Sequence, residues 1–353
     1  MMNLNKLRKT IDVIDKEIVT LLNKRAEKTH EIGKVKNKTK AAIYVPAREK
    51  DVFEKIAKAS HGPLSQEALV AIYREIMSAS LALEKPITIA YLGPNASFSH
   101  LAALKKFGSM VSYFPCNNIS DIFTEVEKDH ADYGVVPIEN SIEGAISHTL
   151  DMLVDSDLKI CSQLLLDVSL NVLSKHEKNR IEKIYSNPAV FGQCRIWLES
   201  NLPKANLIEV SSTTKAAQIA AKEKNAACIA SLLAADIYKL KIIAKAIEDS
   251  PHNITKFLVI GKYEAQPTEH DKTSIVFSIK DSIGALHDML LPFKKYKINL
   301  TKIESRPSKR KAWDYFFFID LVGHAQEKNV QKALNILDGK TKFMKILGSY
   351  PIV

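Results

Sequence analysis

Along the first forty positions, apolar residues recur at alternating steps of three and four: Leu4, Leu7, Ile11, Ile14, Ile18 and Leu21. That spacing keeps one stripe on one side of a helix and predicts a single helix from residue 4 to about 40. The same seam runs on through Arg25 and Lys28 to Ile32 and Val35, so cations stand in a line of apolar residues. A second helical stretch covers about 46–59 and opens on Pro46, whose fixed φ and missing N–H suit a first turn. His61-Gly62-Pro63 breaks it. A third helix runs from about 65 to 84, with Leu69, Ile72, Tyr73, Ile76, Met77 and Ser80 on one face, and Glu84-Lys85-Pro86 ends it. Three helices cannot bury so long a seam by themselves, which predicts a helical dimer.

From residue 87 the pattern changes. ITIAYLG reads as a strand followed by the turn GPNASFSH. Short apolar strands then alternate with amphipathic helices: DYGVVPI with SIEGAISHTLDMLV, IEKIYS with NPAVFGQCRIWLES, NLIEV with SSTTKAAQIAAKEK, and ACIAS with LLAADIYKL. This alternation predicts an α/β sheet covered by helices, with ligands at the carboxyl ends of the strands. The polar stretch 261–272 reads as a linker. After it come strand KTSIVFSI, helix IGALHDMLLPFKKY, strand INLTKIES, strand WDYFFFIDLV, helix NVQKALNIL and a last short strand, a ferredoxin-like βαββαβ order.

Composition narrows the class. With 353 residues, two or three domains are expected. No apolar run approaches the ~20 residues of a membrane helix, and the N-terminus lacks the continuous apolar region of a secretory signal. Four cysteines stand far apart with no CxxC pair, so neither zinc nor a redox motif is indicated, and a cytoplasmic location is expected. The formal net charge of +10 suits anionic partners. Only GKVKNKTK (33–40) is a dense basic run, and no aromatics interleave with it, which argues against nucleic acid.

Arg25 and Lys36 are eleven residues apart, about three turns and roughly 16 Å along one helix face. Arg8 and Arg48 add two cations. A guanidinium in an apolar seam is costly unless paired, so the arrangement reads either as a salt-bridged surface or as a pocket for a small dianion. LRKTIDVIDKEIVTLLNKRAEK, GKVK, PAREK and SASLALEKP resemble the all-helical chorismate mutases over residues 1–86. The resemblance implies a dimer in which Arg8 reaches the partner's site. Arg25 and Arg8 would bind the two carboxylates of chorismate, Lys36 and Glu84 would bracket its ether oxygen, and Arg48, Glu49 and Ser80 would line the ring side. Where this chain has Glu84, some members carry Gln. A glutamate donates to the ether oxygen only when protonated, so mutase activity is expected to rise toward acid pH and Glu84→Gln to change that profile.

Four polar clusters follow strands, GPNASFS (93–99), Glu139-Asn140-Ser141, SNPAVFGQC (186–194) and SSTTKAA (211–217), and a fifth, HNITKF (252–257), precedes the strand FLVIG. Each alone reads as a helix cap or turn. Together they resemble prephenate dehydratase across residues 87–263, with GPNASFS in place of GPxGTFS and Thr255-Lys256-Phe257 in place of Thr-Arg-Phe. The resemblance implies a two-lobed domain that turns prephenate into phenylpyruvate, with Thr255 near the leaving hydroxyl. Asn140, Ser141, Gln193, Ser212 and Thr213 would position the substrate, Lys256 would hold a carboxylate beside Phe257, and Glu139 would orient these groups. Lysine in place of arginine keeps the charge but loses the bidentate fork.

Gly284-Ala285-Leu286 and Glu304-Ser305-Arg306-Pro307 read in isolation as a turn and a surface ion pair. After the two likenesses above, they resemble the GAL and ESRP motifs of ACT regulatory domains, over residues 272–353. This implies that L-phenylalanine binds between two such domains, its carboxylate at the helix start and its ammonium at Glu304. The sum is a three-part chain: all-α mutase helices, an α/β two-lobed dehydratase domain, and an α+β ferredoxin-like ACT domain. It is expected to act as a homodimer, with a tetramer left open, without metal or organic cofactor. A dehydratase preferring arogenate, a non-catalytic amino-acid-sensing clamshell and a nucleic-acid binder are the rival readings.

Overall fold

The computed structural model describes residues 4–39, 41–280, 282–308 and 314–352. Lys40, at the end of the expected first helix, and Trp313, at the start of an expected strand, lie outside the described residues. The chain forms two compact units: residues up to Thr88 with Lys106–Ser112, and Ile89–Lys105 with everything from Tyr113 onward.

The first unit holds α1 (Leu4–Thr39), α2 (Pro46–Ala59) and α3 (Gln66–Glu84). Pro46 stands at the first turn of α2, and the Ser65 hydroxyl accepts from the Ala68 N–H to open α3. The face of α1 that turns inward is Arg25, Thr29, Gly33 and Lys36, not the apolar seam. Gly33 permits this: a Cβ there would stand 2.9 Å from Glu84 Cα, so glycine sets the approach of α1 to α3. The seam itself is open within one chain, with Leu4, Ile11 and Leu21 each more than half exposed.

The second unit begins with β1 (Thr88–Leu92), α4 (Phe98–Phe107), β2 (Ser112–Cys116), α5 (Ile119–Glu127), β3 (Tyr133–Asn140), β4 (Gly144–Ala145), α6 (Ser147–Asp155) and β5 (Lys159–Asp167). The chain then enters a second lobe: β6 (Asn171–Ser174), β7 (Lys183–Ser186), α7 (Pro188–Gln193), α8 (Arg195–Asn201), β8 (Asn206–Glu209), α9 (Thr213–Ala220), β9 (Ala226–Ala230), α10 (Leu232–Tyr238) and β10 (Lys241–Ala244). It returns through β11 (Ile254–Gly261), which lies between β3 and β5. The first-lobe sheet has the order β2-β1-β3-β11-β5 and the second β10-β6-β9-β7-β8. Both sheets are mixed: β1 runs parallel to β3, whereas β11 is antiparallel to both neighbours.

Two sequence expectations change here. SIEGAI is not helical, because Gly144-Ala145 folds back as a short strand on Glu139-Asn140 and α6 starts only at Ser147. HNITKF does not merely precede a strand, since Thr255 and Lys256 lie inside β11.

The tail is β12 (Asp271–Ser278), α11 (Ala285–Lys295), β13 (Leu300–Pro307), β14 (Tyr315–Val322), α12 (Lys328–Asp338) and β15 (Phe343–Pro351), the expected βαββαβ order, in a sheet β13-β14-β12-β15. One sheet face packs on α11 and α12 through Phe277, Phe293, Leu321 and Leu334. The other shares a core with the first lobe: Val276, Phe316, Phe318, Leu347 and Tyr350 meet Ile138, Leu153, Ile160 and Leu258. β15 comes so close to β5 that a Cβ on Gly348 would lie 2.3 Å from the Ile160 carbonyl oxygen. Lys345 donates to the carbonyls of Leu153 (3.2 Å) and Val154 (3.0 Å) at the C-terminus of α6, where a cation meets unpaired carbonyls.

Candidate active sites

In the helical unit, Arg25, Lys36, Arg48, Glu49, Ser80 and Glu84 line one cavity of about 270 Å³. The inward face of α1 supplies Arg25 and Lys36, the first turn of α2 supplies Arg48 and Glu49, and the last turns of α3 supply Ser80 and Glu84. The Arg25 guanidinium donates to the Ser80 hydroxyl, which in turn donates to the Ile76 carbonyl (2.8 Å). Lys36 Nζ donates to Glu84 Oε2 and to the Ile43 carbonyl, both at 2.8 Å. Arg48 pairs with Asp51 on the exposed side of α2. Arg8 does not line this cavity. It lies seventeen residues before Arg25 on the same helix, roughly 26 Å along the axis, too far for a side chain to span. Arg74 and Lys106 also line the cavity and were not among the expected residues.

At the ends of β3 and β11, residue pairing sets Thr255 against Asn140 and Lys256 against Glu139. Asn140 Nδ2 donates to Thr255 Oγ1 (2.9 Å) and to Asn253 Oδ1 (2.8 Å), and Asn253 Nδ2 donates to Gln193 Oε1 (3.0 Å). A chain of side chains thus links Thr255 to the second lobe. Asn140 Oδ1 accepts from the N–H groups of Ile142 and Glu143, which fixes its amide. Thr255 is nearly buried and accepts from Asn140, so its own O–H proton has no protein acceptor among the described residues. Ser141 closes the corner: its hydroxyl donates to the His252 carbonyl and accepts from the Ile254 N–H.

Four further expected residues have partners or places of their own in the fold. Alternation along β11 sends Lys256 to the face opposite Thr255, where it pairs with Glu139 at 3.0 Å. Phe257 is fully buried in the core. Ser212 caps α9 by accepting from the Lys215 N–H (3.1 Å), with Thr213 as the first helical residue. Asn187, which caps α7, donates to the Ser211 carbonyl, so the starts of α7 and α9 are adjacent.

The GPNASFS turn connects the lobes. Ser231 donates to the Ala96 carbonyl (3.1 Å) and Tyr238 to that of Asn95 (3.5 Å). A cavity of about 340 Å³ opens there, lined by Gly93, Pro94, Asn95, Asn117, Gln218 and Tyr238 among others.

In the tail, β13 alternates so that Lys302, Glu304 and Arg306 share the face turned to the first lobe, and β13 is an edge strand. Lys302 bridges Glu139 (3.0 Å) and Glu304 (3.4 Å), and Arg306 pairs with Asp151 of α6 (3.4 Å). Arg306 Nε and Nη1 are buried without a hydrogen-bond partner among the described residues. Partial burial pushes the Glu139 carboxyl up, but hydrogen bonds and charge from Lys256 and Lys302 outweigh it and hold it below the ordinary carboxylate range. Gly284 takes a left-handed φ of +73° and opens α11; Ala285 and Leu286 form its first turn, and Ser305 faces away from Glu304.

The family model for chorismate mutase type II matches residues 7–85, that for prephenate dehydratase residues 89–265 and that for the ACT domain residues 273–339. The bifunctional chorismate mutase/prephenate dehydratase of Aquifex aeolicus is 52% identical, across 99% of this chain and 98% of its own.

The chain belongs to the bifunctional chorismate mutase/prephenate dehydratases.

The enzyme of the same name from Stutzerimonas stutzeri is 42% identical over 99% of this chain and 97% of its own. Among solved structures, the prephenate dehydratase of Arthrobacter aurescens in complex with L-Phe superposes with a TM-score of 0.70 at 31% identity, covering 75% of this chain and 90% of that one. The chorismate mutase match falls on the helical unit that holds the 270 Å³ cavity, and the prephenate dehydratase match runs through both lobes. Asn253 is the dehydratase-side residue that sequence reading missed. Its signal was its place two residues before Thr255, on the same side of an extended segment. No helix among the described residues is long and apolar enough to cross a membrane.

Proposed function

We propose that the helical cavity rearranges chorismate to prephenate, that the Thr255 cluster converts prephenate to phenylpyruvate, and that L-phenylalanine bound at the tail restrains the second step. The observation that carries the reading is the convergence of every expected mutase residue except Arg8 on one cavity. The rearrangement is pericyclic and needs no nucleophile. Cations that hold a compact dianion and meet charge developing on the breaking C–O bond are sufficient. Arg25, Lys36 and Arg48 have those roles, and Arg8 of a second copy supplies the remaining cation. The exposed seam of α1 supports such a homodimer, since it leaves an apolar stripe uncovered beside the distant Arg8.

In the dehydratase, loss of carbon dioxide and hydroxide aromatises the ring. The free Thr255 O–H donates toward the departing hydroxyl, while Asn140 holds the threonine oxygen in place. Gln193 reaches the same network through Asn253. The L-Phe complex of the Arthrobacter aurescens relative supports the tail as a phenylalanine site, with Glu304 for the ammonium and the start of α11 for the carboxylate.

The test is to supply chorismate alone and follow prephenate and phenylpyruvate with and without L-phenylalanine. Phenylpyruvate that follows prephenate and falls when L-phenylalanine is added supports the whole reading. Prephenate that accumulates overturns the dehydratase part, and untouched chorismate overturns the mutase part.

A further inference from the structure

Glu49 is an anion in the wall of a cavity built for a dianion. Its side chain is 9% exposed. Left unpaired, it would repel a bound carboxylate across the cavity. Lys106 removes that problem. Its Nζ lies 2.6 Å from Glu49 Oε2, with only 12% of its side chain exposed, and it lines the same cavity. The Tyr44 hydroxyl donates to the same oxygen at 2.9 Å. Both partners engage Oε2, and Oε1 has no protein partner among the described residues.

Lys106 is held in place by its own segment. The Phe107 ring packs on Tyr44 with centroids 4.9 Å apart. Next to it, Gly108 adopts φ +75°, and a Cβ there would stand 2.5 Å from Ser78 Cβ. The Met110 N–H donates to Ser78 Oγ (3.0 Å) and the Ser109 N–H to Glu75 (3.1 Å), fastening the segment to α3. Yet Lys106 lies outside residues 7–85, which match the chorismate mutase family, and inside 89–265, which match the dehydratase.

We infer that Lys106 is a positioning residue of the mutase site, contributed by the dehydratase segment. It cancels the Glu49 charge before the dianionic substrate enters and turns Oε1 toward the ligand. The inference rests on the mutase reading above.

The test uses the full chain, with chorismate and prephenate assayed separately on each preparation. Lys106→Met is expected to raise the chorismate KM by about ten-fold or more, as fits the loss of a buried charge partner, while prephenate turnover stays unchanged. Lys106→Arg is expected to restore most of the affinity. In a Glu49→Gln background, where no charge needs cancelling, Lys106→Met is expected to add little. Unchanged chorismate kinetics in Lys106→Met overturn the proposal. So does parallel loss of both activities, or a full multiplicative effect in the Glu49→Gln background. A wild-type chain that leaves chorismate untouched would fail the mutase reading and the proposal together, whereas an active wild type with an indifferent Lys106→Met fails the proposal alone.

Discussion

Lys302 Nζ sits 3.0 Å from Glu139 Oε2, an ion pair between the ACT edge strand and the dehydratase strand that ends at Asn140. Glu139 also holds Lys256, which adjoins Thr255 on β11. A shift of β13 therefore pulls on the backbone of both strands that carry the Asn140–Thr255 contact. Lys272, paired with Asp320 at 2.9 Å, lines a small cavity of about 30 Å³ together with Glu139, Lys256 and Lys302, and burial pulls its ammonium below the usual lysine range against the opposing charge of Asp320. Lys302→Met is expected to leave dehydratase turnover without L-phenylalanine within about two-fold and to raise the half-inhibitory concentration by about ten-fold, within the usual range of coupling energies. Inhibition curves that coincide with wild type would show that the signal takes another route.

Thr255 has a donor to give and an acceptor already satisfied. Thr255→Val, which keeps the shape and loses the hydroxyl, is expected to lower dehydratase kcat by about 10²–10⁴-fold, the usual range for a positioned proton donor. Mutase activity on chorismate is expected to be unaffected. Asn253→Ala cuts the link from Gln193 to Asn140 and is expected to cost about ten-fold, the scale of one buried hydrogen bond. Steady-state assays on prephenate check both, and a Thr255→Val enzyme with normal kcat would remove Thr255 from the reaction.

His100 is expected to set an acid limit on the dehydratase. Its Nδ1 accepts from the Ala96 N–H (3.1 Å), and its ring stacks on Tyr91 at 4.6 Å. Ala96 holds a left-handed φ of +73°, which this bond helps to maintain. Burial keeps the imidazole below its usual 6.5, so the folded state favours the neutral ring. The unfolded chain then binds more protons as pH falls through 6.5, and stability of this turn, full above that value, declines until the folded ring also protonates. Dehydratase activity is expected to fall across that window. His100→Asn, which offers a non-titrating acceptor, is expected to flatten the limb. A limb that survives this substitution would belong to another group.

The helices and the tail were legible because their patterns are local. A heptad spacing, a proline at a first turn and an apolar face ended by Glu84-Lys85-Pro86 mark α1, α2 and α3 within a few residues. What stayed hidden depends on distant neighbours. Nothing in the heptads shows that α1 turns Arg25, Thr29, Gly33 and Lys36 inward and leaves its apolar seam open, since that choice follows from the approach of α3 at Gly33. The Thr255-Lys256-Phe257 likeness groups Lys256 with Thr255, and HNITKF is expected to precede the strand. Read as a strand, simple alternation sends it to the other face, toward Glu139. Lys106 had no sequence signal, because a segment twenty residues past the helices brings it to the cavity.

The separation of Arg8 from Arg25 makes the dimer testable without a structure of it. If each mutase site takes Arg25 from one copy and Arg8 from the other, Arg8→Ala and Arg25→Ala homodimers each lack one cation at both sites. A mixed dimer has one site lacking both and one intact, because a two-fold interface exchanges the same residues in both directions. Random re-association of equal amounts makes about half the dimers mixed, so about a quarter of wild-type mutase sites should return. The measurement is chorismate turnover after unfolding and refolding the two variants together, against each refolded alone. Recovery near that level supports a shared site, and activity no higher than the average of the two separate preparations would place Arg8 outside it.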